Sequence, residues 1–394
     1  MSEHGLSTHG LSEHGFSNRG LRTVIAGGGL VGLTTAAALR QIGHEVTVLE
    51  QAPAIRAVGA GIGIWPNALA QFDQIGIGDT IRGVSERIDA WFFDPAGRPV
   101  RAVGYPDADH QFLLVPRPRL NGLLADAVGR DRIATGTRLL GFTENEDEVV
   151  VRIENGEDIH ADLLIGADGV YSRVRAGLLP ASDAREHAGH VAWRAVVPAG
   201  DERPEGTVLT IGDARTRGGY SRLGEGRTMW MVNQFDVGEL TGSKRDRALA
   251  RARNLTRSGA AGEAGWQDEL LAMIEATPEE VILENQIMLV PPLDRWTSGR
   301  VALIGDAAHD LSPHISAGGT LGVEDVTVLS AALQAQPTLR DALTSYERTR
   351  IPRFEQVRKL SDDVENAFDA DEFAARYAAF SHWMLNTAPA RAGR

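Results

Sequence analysis

Two periods govern where apolar residues fall in this chain. Short unbroken apolar runs that end on glycine or an acid mark buried strands at residues 23–26, 45–50, 162–166 and 301–304. Between the first two lies an Ala-rich helix, 33–42, ended by Gly43. A second texture fills residues 190–235, where apolar and polar positions alternate. It predicts strands at 190–197, 206–211, 218–223 and 227–233, an antiparallel sheet that roofs a pocket. Strands near 137–143 and 148–153 form a meander, and residues 91–103 a hairpin that turns at Asp94-Pro-Ala-Gly97. Helical periodicity marks 244–277, charged enough to read as a solvated face, and 339–383, an amphipathic helix punctuated by Pro352. Strand–helix–strand units split by a long β-patterned segment place the chain in the α/β class.

The strand ends carry the chemistry. Gly27-Gly-Gly29-Leu-Val-Gly32 follows the first strand and opens its helix as a G-x-G-x-x-G. Gly27 permits the tight turn, Gly29 admits a pyrophosphate to the backbone, and Gly32 lets helix and strand pack closely. Glu50 ends the next strand where an acid grips a ribose hydroxyl, roughly 20 residues on. Gly305-Asp306 ends the fourth strand, and a loop pinned by Pro313 leads to a helix start at Gly318-Gly319. Asp306 can accept from ligand hydroxyls, while the free N–H groups of that helix favour an anionic ligand. Asp168-Gly169, followed by Ser172 and Arg173 entering a helix, reads as another wall of the same nucleotide cleft. Residues 56–69 are dense in glycine, suiting either close approach to a flat ligand or a mobile surface loop. Arg117 and Arg119 in the first turn of a helix either reach ligand phosphates or are solvated.

Composition narrows the field. The 394 residues allow two or three domains, and the formal charge of −13 argues against nucleic acid or an anionic membrane as partner. Absence of cysteine excludes disulfides, thiolate catalysis and iron–sulfur clusters. No apolar run reaches a membrane span and no signal-peptide core is present, so a soluble, cytoplasmic protein is expected, monomer or homodimer. Residues 2–21 are four copies of a five-residue Ser/Gly-rich unit, a disordered tail. His4, His9 and His14 in it are spaced to chelate a metal by accident; no metal site is assigned.

Three stretches together resemble the fingerprints of single-component (class A) FAD-dependent aromatic hydroxylases, the group of para-hydroxybenzoate, salicylate and urate hydroxylases and zeaxanthin epoxidase. They are Gly27–Gly32 with Glu50, Gly166-Ala-Asp168-Gly-Val-Tyr-Ser-Arg-Val-Arg175, and Gly305-Asp306-Ala-Ala-His309 with Pro313. Gly59-Ala-Gly61-Ile62, Arg117-x-x-Leu120, Val191-Ala-Trp-Arg194 and Tyr346-Glu-Arg-x-Arg350 are also similar, so the likeness spans about 22–360. It implies a Rossmann-like FAD/NAD(P)-binding fold of the glutathione-reductase type, with an inserted antiparallel-sheet substrate domain and C-terminal helices. The expected division is a FAD-binding domain at 22–75, 105–180 and 285–345, a substrate domain at 76–104 and 181–284, and a helical segment at 346–394. The resemblance puts Gly27, Gly29 and Gly32 on the pyrophosphate, with Leu30 and Val31 between them, and Glu50 on the adenosine ribose. Arg117 would reach the middle of FAD, Gly61 and Ile62 would line it, and Gly305 and Asp306 would hold the ribityl chain. Asp168-Gly169 would serve FAD and the nicotinamide cofactor, and Gly318 and Gly319 would face the pyrimidine edge.

The reaction implied uses NADH or NADPH, O₂ and a small aromatic substrate, through a flavin C4a-hydroperoxide. Ser316-Ala-Gly318 stands where the family has Gly-Gln-Gly, and His314 where it commonly has Asp or Asn. His314, after Pro313 at the flavin, is the candidate base for a phenol, its ordinary pKa near 6.5 suiting neutral pH. Ser312 and Ser316 are placed to orient its ring, while His309 reads as a structural hydrogen-bonder. Tyr220, Arg194 and Arg217, on the roof strands, are further candidates for orienting substrate. An epoxidase or N-hydroxylase of the same fold is an open alternative. A halogenase should show Trp-x-Trp-x-Ile-Pro, and Trp193-Arg-Ala-Val-Val-Pro198 lacks the second Trp. A non-catalytic flavin sensor would not need so large a sheet between the second and third fingerprints.

Overall fold

The computed structural model describes residues 20–55, 60–94, 98–200, 207–211, 215–235, 237–255 and 266–389. Residues 2–19 of the N-terminal repeat, residues 56–59 of the glycine-dense stretch and the hairpin-turn residues 95–97 lie outside that set. The chain opens with β1 (Arg22–Ala26), α1 (Leu30–Gln41) and β2 (Glu45–Glu50). Next come β3 (Gly61–Ile64), α2 (Pro66–Gln74), α3 (Gly78–Gly83), β4 (Glu86–Phe93), β5 (Pro99–Val100), β6 (Gln111–Pro116) and α4 (Arg117–Val128). Then follow β7 (Ile133–Thr135), β8 (Leu139–Glu144), β9 (Val149–Ile153), β10 (Ile159–Ala161), β11 (Leu163–Gly166) and α5 (Arg173–Leu178). The β-rich stretch is β12 (Arg185–Pro198), β13 (Thr207–Ile211), β14 (Thr216–Arg222) and β15 (Arg227–Gln234). The remainder is α6 (Lys244–Ala252), α7 (Trp266–Ala276), β16 (Leu283–Leu289), β17 (Val301–Leu303), α8 (Gly318–Ala335), α9 (Leu339–Glu365) and α10 (Ala370–Asn386).

Two sheets position everything else. The first has the order β17–β11–β1–β2–β7, and each neighbouring pair is parallel. Its central strands are apolar on both faces because α1 packs against β1 and β2, and α5, β9 and β10 pack against β11, β17 and β1; Ile25, Val48, Ile165 and Ala302 are inaccessible. The second runs β16–β12–β15–β14–β13–β4–β6–β3, with β5 beside β4. It is wider than the predicted roof and not purely antiparallel, since β13 and β4 pair in parallel. The glycine-dense segment is part of it. Gly61–Ile64 forms β3 against β6, so strands expected in the FAD-binding division complete the second sheet. A small β8–β9–β10 meander forms a sheet of its own, packed on β1, β11 and α5.

Two further differences have a packing cause. The charged 244–277 stretch buries Ala248, Leu249, Ala252, Leu270 and Ile274 against Trp193 and Trp230, forming a second core under the outer face of the wide sheet. Its charges lie on the opposite face of each helix, as amphipathicity requires. The predicted C-terminal helix is two helices: α9 passes through Pro352, and α10 starts anew with Asp369 as its cap. Among the described residues no helix is long and apolar enough to cross a membrane.

Beneath the third motif lies a buried ionic network. Asp325 of α8 accepts from Gly305 N–H at 2.8 Å, from Arg350 Nε at 2.6 Å, and lies 2.7 Å from His309 Nε2. Arg350 also donates to Glu324 at 2.9 Å, and Glu324 takes two further bonds from Arg353. Arg350 and Asp325 are both 0% exposed. Burial raises the Asp325 pKa, but His309 and Arg350 outweigh it and hold the carboxylate below its usual range. Trp296 and Phe354 sandwich the His309 ring with centroids at 4.9 and 4.7 Å. The preference for a structural His309 therefore agrees with its surroundings. Removing one partner strands the others in a dry interior. Asp325→Ala should lower unfolding free energy by about 3–5 kcal/mol, measured by denaturant titration. A loss below about 1 kcal/mol, the worth of an exposed pair, would contradict the buried reading.

Candidate active site

The parallel sheet sets its strand ends in a row. Gly27 N–H bonds to Leu49 O at 2.8 Å, Ala167 N–H to Ala26 O at 2.8 Å, and Ile304 N–H to Gly166 O at 3.0 Å. The turns after β1, β11 and β17 therefore face the same side, where an open α/β sheet presents its ligand crevice. Gly27 adopts φ +107°, and a Cβ there would lie 2.3 Å from Ala167 O. A Cβ at Gly32, inside α1, would come within 2.0 Å of Gly27 O. At Gly29 a Cβ would meet nothing within 4 Å, so this backbone borders open space. Leu30 is buried, and Val31 fills the room left by Gly305 and Gly322.

Two helices aim uncapped ends at this crevice. Neither α1 nor α8 has a side-chain cap or an acid in its first turn, whereas α5, α6, α9 and α10 are capped by Ser172, Ser243, Thr338 and Asp369. The amides of Gly318 and Gly319 have no acceptor among the described residues. A Cβ at Gly319 would press on Ile62 at 2.9 Å and Leu30 at 3.1 Å, so α8, β3 and α1 converge there. Gly61 is equally close-set, its N–H bonded to Met229 S at 3.2 Å. Ser316 takes the left-handed φ of +53°, closing the short turn that delivers the chain to α8.

The acids of the three motifs do different work. Glu50 accepts from Gly28 N–H at 2.9 Å and Ala52 N–H at 2.7 Å, pinning the glycine turn with lone pairs to spare. Asp168 turns its carboxylate onto the start of α5, bonding Ser172 Oγ and the amides of Arg173 and Val174. Only its turn backbone is left to meet a ligand. Asp306 is the one that waits: it is exposed and has no hydrogen bond or ion pair among the described residues. It nevertheless lies deep in the crevice, where burial raises its pKa against the pull of His309 and Arg117. Arg117, exposed at the start of α4 and without an ion pair among the described residues, acts electrostatically on both Asp306 and Arg194.

The wide sheet divides the remaining candidates by face. Trp193, Tyr220 and Trp230 point outward into the second core, and Tyr220 OH bonds Glu269 of α7. Tyr220 is thus no substrate ligand; it lies on the far side of the sheet from Arg217, as an odd separation along a strand demands. Arg194 and Arg217 share the inner face. Arg217 donates to the carbonyls of Val364 and Glu365 at the end of α9, and burial lowers its pKa to about 10. Pro313 is exposed, but the His314 ring is not. His314 Nδ1 lies 2.8 Å from Ser312 Oγ and 4.0 Å from the Glu365 carboxylate, and Nε2 has no partner. Burial, with Arg217 and His190 adding, drives its pKa well below 6.5. The expected pairing with Ser312 is present, while Ser316 is exposed and bonds to Trp65 through its carbonyl. A base titrating near neutral pH is therefore replaced by a buried imidazole that stays neutral there.

Two residues to which sequence reasoning gave no role belong to this assembly. Arg175 donates to Val170 O, Ser182 O and Ala307 O, tying the second motif's turn to the third's. His190 Nδ1 lies 3.2 Å from Ser312 Oγ, and its ring is 4.0 Å from that of Phe235. The period-two pattern of β12 does put His190 on one face with Arg194; that was the available signal.

Residues 21–361 match the family described as FAD binding domain. The chain is 32% identical over 370 residues to aurachin C monooxygenase/isomerase of Stigmatella aurantiaca, covering 93% of this chain and 92% of that one. It is 31% identical over 351 residues to FAD-dependent urate hydroxylase of Klebsiella pneumoniae, covering 84% and 86%. The crystal structure of Klebsiella pneumoniae HpxO complexed with FAD and uric acid superposes with TM-score 0.74 at 26% identity, over 92% and 93% of the two chains. With the strand-end crevice and the wide sheet above it, these likenesses establish that the chain belongs to the FAD-dependent aromatic hydroxylase family, and that FAD is its cofactor.

Proposed function

We propose that this protein is an NAD(P)H- and O₂-dependent monooxygenase that hydroxylates a small aromatic or heteroaromatic substrate. The observation that carries the reading is Asp306: a deep, unpartnered carboxylate between two uncapped helix starts, with an unpaired arginine opposite. That donor set fits FAD. Its sugar and ribityl hydroxyls suit Glu50 and Asp306, its pyrophosphate the amides after Gly29, and its pyrimidine edge the amides of Gly318 and Gly319. Arg117 supplies positive charge beside the middle of the cofactor, and Gly61, Ile62, Leu30 and Val31 give it apolar and backbone walls. When bound, FAD supplies the redox chemistry, accepting a hydride from NAD(P)H and activating O₂.

The rest is the work of this chain. The inner face of the wide sheet closes over the crevice and keeps water out, which strengthens every charge inside. Arg194 and Arg217 orient the substrate. His314, neutral and with Nε2 unpartnered, holds the substrate's hydroxyl by a hydrogen bond and draws off its proton as the ring becomes electron-rich. The Glu365 carboxylate offsets the positive charge this leaves on the ring. The names of two relatives, FAD-dependent urate hydroxylase and 6-hydroxynicotinate 3-monooxygenase, specify heteroaromatic substrates, which supports the same substrate class here.

Asp306→Ala and Glu50→Ala should each weaken FAD retention, measured as the flavin-to-protein ratio after gel filtration. Full occupancy in both contradicts the roles of these carboxylates. Turnover under ¹⁸O₂ should place label in the product, whereas label in no product would indicate an oxidase or dehydrogenase. His314→Gln should slow hydroxylation about 10²-fold, or divert reduced oxygen to H₂O₂, with FAD content unchanged. A wild-type rate with an unchanged pH profile would show that His314 takes no proton.

A further inference from the structure

The hydroxyl of Ser312 stands between two imidazoles. His314 Nδ1 lies 2.8 Å from Ser312 Oγ and His190 Nδ1 lies 3.2 Å from it, and Oγ has no third partner among the described residues. All three side chains are buried, so they must satisfy one another. Local geometry explains the meeting. Ser312 opens the tight turn Pro313–Ile315 without capping it, which turns its hydroxyl away from that turn's amides. His190 is delivered by a bulge: the register of β12 against β16 shifts between Glu186 and Val191, where Gly189 takes φ +61°.

Proton counting then fixes the arrangement. Burial keeps both imidazoles neutral near neutral pH, His190 with its pKa lowered to about 3 and His314 well below 6.5. A neutral imidazole carries one N–H, and a hydroxyl has one hydrogen to give. If both rings donate to Ser312, its own hydrogen is buried without an acceptor. If both accept, one of the two contacts holds no hydrogen. Either case leaves a buried polar group unsatisfied. Both bonds form only when one ring donates through Nδ1 and the other accepts there, so the two histidines hold opposite tautomers. The nearest carboxylate chooses which. Glu365, held by His187 Nε2 at 2.8 Å, lies 4.0 Å from His314 Nδ1 and favours the proton there. Of the other groups around the pair, Arg217, Arg215 and His187 act against positive charge on the rings, and the Asn233 side chain and the Ser361 carbonyl favour it.

We infer that Ser312 and His190 are positioning residues that hold His314 as its Nδ1–H tautomer, His314 donating to Ser312 and Ser312 to His190. The His314 Nε2, buried and without a partner, is then the bare nitrogen offered to the substrate's proton. This rests on the proposed role of His314 as base and adds what sets its tautomer. In the other tautomer Nε2 carries an N–H and takes no proton.

The test reads the tautomers directly in the FAD-loaded enzyme with ¹⁵N-labelled histidine, by long-range nitrogen–proton correlation spectra assigned with His190→Phe and His314→Gln. His314 should be protonated on Nδ1 and His190 on Nε2. Matching tautomers, or His314 protonated on Nε2, overturns the inference. Turnover is the second arm. Ser312→Ala should lower kcat about five- to tenfold, the worth of one buried hydrogen bond, with KM and FAD content unchanged, and Ser312→Thr should restore the rate. His190→Phe leaves the Ser312 hydroxyl only His314 to donate to, which holds the wrong tautomer, so it should be at least as slow as Ser312→Ala. Combining the two should return the rate to that of Ser312→Ala alone. Where His190→Phe does not fold, Ser312→Ala and its rescue by Ser312→Thr carry the turnover arm, and His314→Gln alone assigns the decisive ring. Additive losses in the double variant, or an unchanged kcat in Ser312→Ala beside a slow His314→Gln, overturns the inference and leaves the base standing. A wild-type rate in His314→Gln would instead overturn the base itself, and the inference with it.

Discussion

Everything at the cofactor crevice depends on one buried carboxylate. Asp325 bonds the amide of Gly305, the imidazole of His309 and the guanidinium of Arg350 at once. Gly305 is held at φ +56°, which turns the chain sharply out of β17 and sends Asp306 into the open. Without the anchor, a carboxylate that nothing else bonds would have no fixed place. The same network ties α8 to α9 through Glu324, so the uncapped start of α8 and the Asp306 turn are set as one rigid unit. Arg175 extends it sideways by bonding the carbonyls of Val170 and Ala307. Buried ions stabilise weakly but resist rearrangement, which suits a cradle that must keep its shape before its ligand arrives.

Around that unit the crevice is organised by what is left unpaired. Backbone amides of two helix starts, one carboxylate and one arginine face it without partners among the described residues. A flavin-bearing dinucleotide presents phosphates, hydroxyls and a polar ring edge to such a set. The sheet above repeats the pattern with opposite demands: its unpaired groups are cationic donors, and its outer face is sealed by tryptophans and α6 and α7.

How much of this the sequence showed follows from the range of the interactions. The β1–α1–β2 unit was legible nearly to the residue, because strand, turn and helix signals there are local. The third motif was legible for the same reason, since its strand, turn and helix start follow one another directly along the chain. The strand β3 was hidden because Gly61-Ile-Gly-Ile is paired only through β6, fifty residues away in sequence. The parallel β13–β4 pairing is likewise non-local. Tyr220 was misplaced although its odd spacing from Arg217 already put the two on opposite faces. The burial of His314 was not legible, since Phe235, Glu365 and Arg217 come to it from three other elements.

The central claim is that three strand-end turns and two uncapped helix starts form one FAD cradle. Backbone hydrogen–deuterium exchange of the apoprotein with and without FAD measures it directly. The account predicts protection on binding at residues 27–31, 305–307 and 318–320 together, with α6 and α7 unchanged. Protection confined to one of those segments, or strongest on the outer face of the wide sheet, would contradict it.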